Sequence, residues 1–254
     1  LKPFNIQLVA EKVETGYQLQ SLTEIGFDYY QGFFYHRPEI IEGKTLAPFK
    51  TQMLNLMSET FKTPLDFEKI AEIISHDVNL SIGLLKMVNN VATGSRVELT
   101  SLKQAATYLG EEKLKQFVSI LALSKLSSEQ TDEAAKQALI IGKLMHVIAQ
   151  NGVFKEVKEF AFITGLLSSI EAILSMSLVD VLVTMPVSQV IKDALLEKNN
   201  LLGELLLLAK DYINGDNDEM HALLDKYQLD KTQVQSAFVD ACRWCSEING
   251  AFSH

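Results

Sequence analysis

The residues best able to do chemistry in this chain are few and scattered. His76-Asp77 sets an imidazole beside a carboxylate. Such a doublet can give two ligands to a metal in a phosphohydrolase, provided further His and Asp ligands arrive from other segments. The remaining histidines are His36, His146, His221 and His254, none paired with a carboxylate at an obvious ligand spacing, and no H-E-x-x-H occurs. Asp77 also stands just ahead of the apolar stripe Leu80, Leu84, Met87, Val88 and Val91. Capping that helix, with His76 as a turn residue, is the stronger reading. A phosphohydrolase recruiting His76, Asp77 and His146 is its rival.

Cys242 and Cys245 have the two-residue gap of redox and zinc sites, but lie mid-helix with no second such pair. A buried apolar pair is expected there. Asp216 to Glu219 hints at calcium without the spacing of an EF-hand loop, and capping of the next helix accounts for it. Ser168-Ser169 lies in an apolar helix with no adjacent base, so it gives little support to nucleophilic catalysis. No P-loop, G-x-G-x-x-G or G-x-S-x-G is present. Glu11, Glu14 and Gln31 are the most suggestive polar groups. Glu11 follows the apolar run Ile6–Ala10 and so falls at the carboxyl end of a strand, where parallel α/β folds keep their chemistry.

Two kinds of element must position these groups. Residues 1–41 read as strand, helix, strand: Ile6–Ala10, then a helix over 14–25 stopped by Gly26, then the aromatic run Phe27–Tyr35. One such βαβ unit cannot bury both faces alone. From Glu42 on, the spacing predicts helices over 49–61, 64–75 and 79–91, with Thr63 capping the second and Asp77 or Asn79 the third. Ser101-x-x-Gln104 is a capping box opening a helix that stops at Gly110. Further helices are expected over 111–126, 129–151, 155–174, 178–185, 187–197, 201–214, 218–227 and 231–249, making a helical domain with short loops.

The composition closes off several classes. The net charge is −9, with no basic run carrying interleaved aromatics, which disfavours nucleic acid as a partner. No apolar run has the roughly 18 residues of a membrane span. Two cysteines and no signal peptide fit a reducing cytoplasm, and a chain opening on Leu1 is expected to be the end of something longer.

Two families are resembled. Ala10-Glu11-Lys12-Val13-Glu14-Thr15, then Gly26–Phe34 and Arg37-Pro38, resembles the tail of the EAL domain, a barrel phosphodiesterase for cyclic di-GMP. The resemblance implies that Glu11 matches the active-site glutamate near the metals and Gln31 the late glutamine. Glu14 falls in the same motif, while Lys12 stands where the family commonly has glycine. The larger part, roughly Leu46 to Asn249, resembles the HDOD domain, a helical relative of the HD phosphohydrolases found in bacterial signalling proteins. The likeness rests on Asp77–Ser81, Leu84–Asn89, Leu102–Gly110 and Phe162–Leu167. It implies that Ser168-Ser169 stands where HD enzymes carry His-Asp, so that position has lost both ligands.

The expectation is therefore a mostly all-α chain, with an HDOD-like domain over 46–249 preceded by a βαβ remnant of an EAL barrel over 1–41. Its expected function is that of a non-catalytic cytoplasmic signalling module in a cyclic di-GMP-related pathway. It would work by contact with other signalling proteins, with a homodimer as an option, and with no metal, cofactor, nucleic acid or membrane. The alternative is a metal-dependent phosphohydrolase or phosphodiesterase, HD-like or, in a longer parent, EAL-type.

Overall fold

In the computed structural model, residues 7–13, 16–31, 48–62, 64–91, 101–128, 131–185, 187–215 and 217–252 are described. Strand β1 (Val9–Ala10) runs parallel to β2 (Tyr29–Tyr30), with Val9 opposite Tyr29 and Ala10 opposite Tyr30. Helix α1 (Gly16–Ile25) makes the crossover and ends at Gly26, whose φ of 95° lies in the region open to glycine. The strand–helix–strand reading holds, with strands shorter than the apolar runs suggest. Glu14 and His36 lie outside the described residues.

The rest of the described chain is helical. It comprises α2 (Pro48–Thr60), α3 (Phe67–Ser75), α4 (Val78–Val91), α5 (Leu102–Leu126), α6 (Asp132–Ile148) and α7 (Lys158–Leu167). These are followed by α8 (Ile170–Leu174), α9 (Leu178–Thr184), α10 (Gln189–Leu196), α11 (Leu201–Asn214), α12 (Asp218–Tyr227) and α13 (Lys231–Phe252). Helix α5 packs on α2, α3 and α4, whereas α6 packs on α7, α11 and α13. One apolar core runs through both groups, with Phe117, Phe154, Met57 and Leu84 fully enclosed. Each such side chain contributes roughly 1.5–3 kcal/mol relative to exposure.

Local chemistry sets the helix ends. Asp66, extended at φ −97°, accepts the amides of Glu68 and Lys69 at 3.0 Å, so it caps α3, a role expected of Thr63, which lies outside the described residues. Asp77 accepts the amide of Leu80 at 3.1 Å at the start of α4. Ser101 faces the amide of Gln104 across 3.5 Å at the head of α5. As expected, Gly110 separates two helical segments within the span of α5: its φ of 75° and ψ of 168° are not helical and kink the chain there. The helix expected over 155–174 is broken. A 3-10 turn (Gly152–Val157) leads into α7, and the chain bends at Ser168-Ser169 before α8. The Ser168 hydroxyl donates back to the Gly165 carbonyl at 2.8 Å, a local bond that helps end the helix.

Helices α6 and α7 touch backbone to backbone. A Cβ on Gly165 would lie 2.5 Å from the Cα of Gly142, and one on Gly142 would lie 2.8 Å from the Phe162 carbonyl oxygen. Only glycine fits at this crossing.

Candidate functional site

Glu11 and Gln31 come together at the carboxyl end of the parallel strand pair. The Gln31 amide donates to the Ala10 carbonyl at 2.7 Å and the Val13 amide to the Gln31 carbonyl at 3.1 Å, extending the pairing past both strands. Both residues are exposed, while Val13 beside them is buried. Between them Lys12 holds φ 57°, a left-handed conformation that costs a side chain on the order of 1 kcal/mol and glycine almost nothing.

His76 and Asp77 do not converge on a common point. His76 closes α3, its exposed ring Nδ1 2.8 Å from the Glu72 carbonyl oxygen. Asp77 opens α4 and faces the Lys125 ammonium at 3.6 Å. His146 belongs to neither group, since it faces Glu112 and Gln150. Among the described residues, no three or more His, Cys, Asp or Glu side chains gather as a metal site would require. His221 is exposed on α12, and His254 lies outside the described residues.

Ser168 and Ser169 are half-buried at the bend after α7. The Ser168 carbonyl accepts from the Lys210 ammonium at 3.1 Å, a cation set against the negative end of a helix. Burial, then the like charge of Lys198, pull the Lys210 pKa down, against the opposite pull of Glu171.

Cys242 and Cys245 are thiols on α13, Cys245 buried and Cys242 half-buried. Burial pushes both pKa values up, which favours protonated rather than reactive sulfur. Asn217 accepts the Met220 amide at 2.7 Å and caps α12, while Asp216 lies outside the described residues.

A cavity between α5, α6 and α7 is the feature that spacing alone does not reveal. It has a volume of about 320 Å³ and is lined by Phe61, Glu112, His146, Gln150, Lys158 and Phe162, among others. His146 Nε2 lies 3.0 Å from Glu112 Oε1, and its ring meets Phe162 edge-on at 6.3 Å between centroids. Burial lowers the His146 pKa from its ordinary 6.5 and Lys143 adds to that, outweighing the opposite effect of Glu112. Its residues come from three helices and the end of α2, and only His146 stands out in the sequence.

Two curated relatives span nearly all of this chain. The cyclic di-GMP phosphodiesterase CdgJ of Vibrio cholerae is 30% identical over 245 residues, covering 96% of this chain and 56% of its own length. The uncharacterized protein YuxH of Bacillus subtilis is 28% identical, covering 96% of this chain and 59% of its own. This chain thus spans somewhat over half the length of these relatives. A solved structure from Shewanella amazonensis, provisionally assigned as a metal-dependent phosphohydrolase, aligns at TM-score 0.47. It is 14% identical and covers 79% of this chain and 90% of that one, too slight a likeness to argue from.

The expectation that this chain is non-catalytic, with any phosphodiesterase activity confined to an EAL domain in a longer parent, is contradicted by the CdgJ match, a relative named for its phosphodiesterase activity. That expectation rested on Ser168-Ser169 standing where HD enzymes carry His-Asp and on one βαβ unit being too little to build a barrel. Residues 46–200 match the HDOD domain model. With more than half its length matched, this chain belongs to the HDOD domain family.

Proposed function

We propose that this chain is the HDOD-bearing part of a cyclic di-GMP phosphodiesterase, with an EAL-type strand end over 1–41 and the helical domain over 46–249. The carrying observation is that the CdgJ match takes in 96% of the chain, and so runs through both the βαβ unit and the helices. Two local features support it. Glu11 and Gln31, the two positions the EAL resemblance singles out, sit side by side past two parallel strands. Lys12, where that family commonly has glycine, holds a glycine-like φ of 57°.

In this reading Glu11 is an oxygen ligand of the hard type that divalent cations prefer. One carboxylate fits such a cation but does not complete its shell. The other ligands would come from the part of the relatives' length that this chain does not span. The bound cation would supply Lewis-acid activation of the attacking water. Glu11 holds its share of the charge at the strand end, and the Gln31 backbone, bonded to Ala10 and Val13, fixes the position of that end. The helical domain, with Ser168-Ser169 where HD enzymes carry His-Asp, is assigned regulatory contact with the barrel or with other signalling proteins.

The test is hydrolysis of cyclic di-GMP to the linear dinucleotide by the longest natural form of the protein, with magnesium or manganese. Glu11→Gln should lower kcat by about 100-fold or more, on the scale of lost first-sphere or adjacent ligands. Activity unchanged by Glu11→Gln would remove the assignment.

A further inference from the structure

The cavity between α5, α6 and α7 shares no residue with the strand end assigned to that phosphodiester chemistry. Its volume of about 320 Å³ is at the small end of the roughly 300–1,000 Å³ usual for small-molecule sites. That suits a nucleoside-sized molecule better than a peptide segment.

Two of its polar groups, Glu112 and Gln150, offer acceptors to a ligand. His146 Nε2 is 3.0 Å from Glu112 Oε1 and 3.1 Å from Gln150 Nε2, and can serve only one of them. The carboxylate bond is charge-assisted and stronger. Gln150 then directs its N–H to the His146 carbonyl oxygen, also at 3.1 Å, which leaves the amide oxygen for another donor. Glu112 has its side chain 70% exposed, and a carboxylate offers roughly four lone-pair sites, of which His146 takes one.

The charges narrow the ligand further. Lys115 is paired with Glu111 and lies over the Phe61 ring, 5.9 Å from its centroid. Glu112, Glu159 and Lys158 also line the cavity, Lys143 acts on Glu112 from outside the lining, and burial disfavours the charged form of His146. With three carboxylates set against Lys115, Lys158 and Lys143, no excess of positive charge calls for a phosphate, and a neutral molecule with donors for the Glu112 carboxylate is favoured. Phe61 and Phe162 supply apolar walls suited to a flat ring.

We propose that this cavity binds a guanine-type base, whose adjacent ring N–H and amino N–H groups pair with the Glu112 carboxylate between the walls of Phe61 and Phe162. Two neighbouring donors match the two oxygens of a carboxylate as a fork matches a fork. Adenine presents a ring lone pair beside its amino group, and that lone pair would face the carboxylate and be repelled. The proposal stands apart from the phosphodiester reading, because it concerns other residues and a direct binding measurement.

The experiment is titration of the 254-residue chain with guanosine, guanosine monophosphate and adenosine by calorimetry, with backbone amide NMR to locate the site. Guanosine should bind at least tenfold more tightly than adenosine and no more weakly than the monophosphate. It should also move amide signals of residues 112–116 and 146–150. Glu112→Gln should lower guanosine affinity at least tenfold with Tm unchanged, and Gln150→Ala, also at an exposed position, should lower it several-fold. Absence of guanosine binding, equal binding of adenosine, or a Glu112→Gln protein that binds as the parent does would each overturn the proposal.

Discussion

His146 shows how one side chain can couple a cavity to the stability of the fold. Burial and Lys143 hold its pKa below the ordinary 6.5, against the pull of Glu112, with Gln150 as the other polar group against the ring. In the unfolded chain the imidazole takes up its proton near pH 6.5. In the folded chain it does so only at lower pH, so between those values the unfolded state binds more protons. The contribution of the neutral ring is therefore fully present above about pH 6.5 and is lost as pH falls through the window below it. His146→Gln should flatten that part of a plot of Tm against pH between pH 5 and 8. A mutant profile as steep as the parent's would show that other groups set the slope. At this scale the sequence was partly legible. Asp77 was readable as a cap because an acid before an apolar stripe has one obvious use. The pairing of Glu112 with His146 was not readable, because 34 positions separate them and only the packing of α5 against α6 brings them together.

Two glycines make opposite demands on their helices. Gly110 has φ 75° and ψ 168°, with nothing within 4 Å of where a Cβ would stand. Gly110→Ala therefore costs only backbone strain, on the order of 1–3 kcal/mol. Gly165 is helical, but its Cβ would lie 2.5 Å from the Cα of Gly142, and two backbones cannot give way as a flexible side chain can. Gly165→Ala should cost more, at least about 3 kcal/mol, the upper end of overpacking penalties. Urea unfolding of both variants checks the order, and a milder loss for Gly165→Ala would mean that α6 and α7 can separate easily. Gly110 is readable in sequence as a stop between two helices. The break at Ser168-Ser169 is not, since the flanking apolar residues continue the helical spacing on both sides. What ends α7 is the return bond from Ser168 to the Gly165 carbonyl and the Lys210 ammonium on the Ser168 carbonyl, and Lys210 comes from four helices further along.

At the scale of the whole molecule, one core cluster runs from Met53 on α2 to Cys245 on α13, so the helical part should unfold as a unit. Trp244, the single tryptophan, sits edge-on to Phe162 at 5.9 Å with Lys143 over its ring, and so reports on the contact of α13 with α6 and α7. Its fluorescence and far-UV circular dichroism should give coincident urea transitions, whereas separated midpoints would mean that the helices around α5 unfold apart from those around α6. The mostly helical class was legible from the apolar spacing alone, because most stripes lie on separate helices closed by caps. The tie to a phosphodiesterase relative was legible only as the alternative, through the resemblance of Glu11 and Gln31 to an EAL tail. The glycine contact between α6 and α7 has a mechanical meaning as well. Where two backbones meet without side chains between them, no rotamer change can absorb a push. The crossing at Gly142 and Gly165 is therefore the stiffest contact between α6 and α7 that such packing allows, one that side-chain rearrangement cannot loosen.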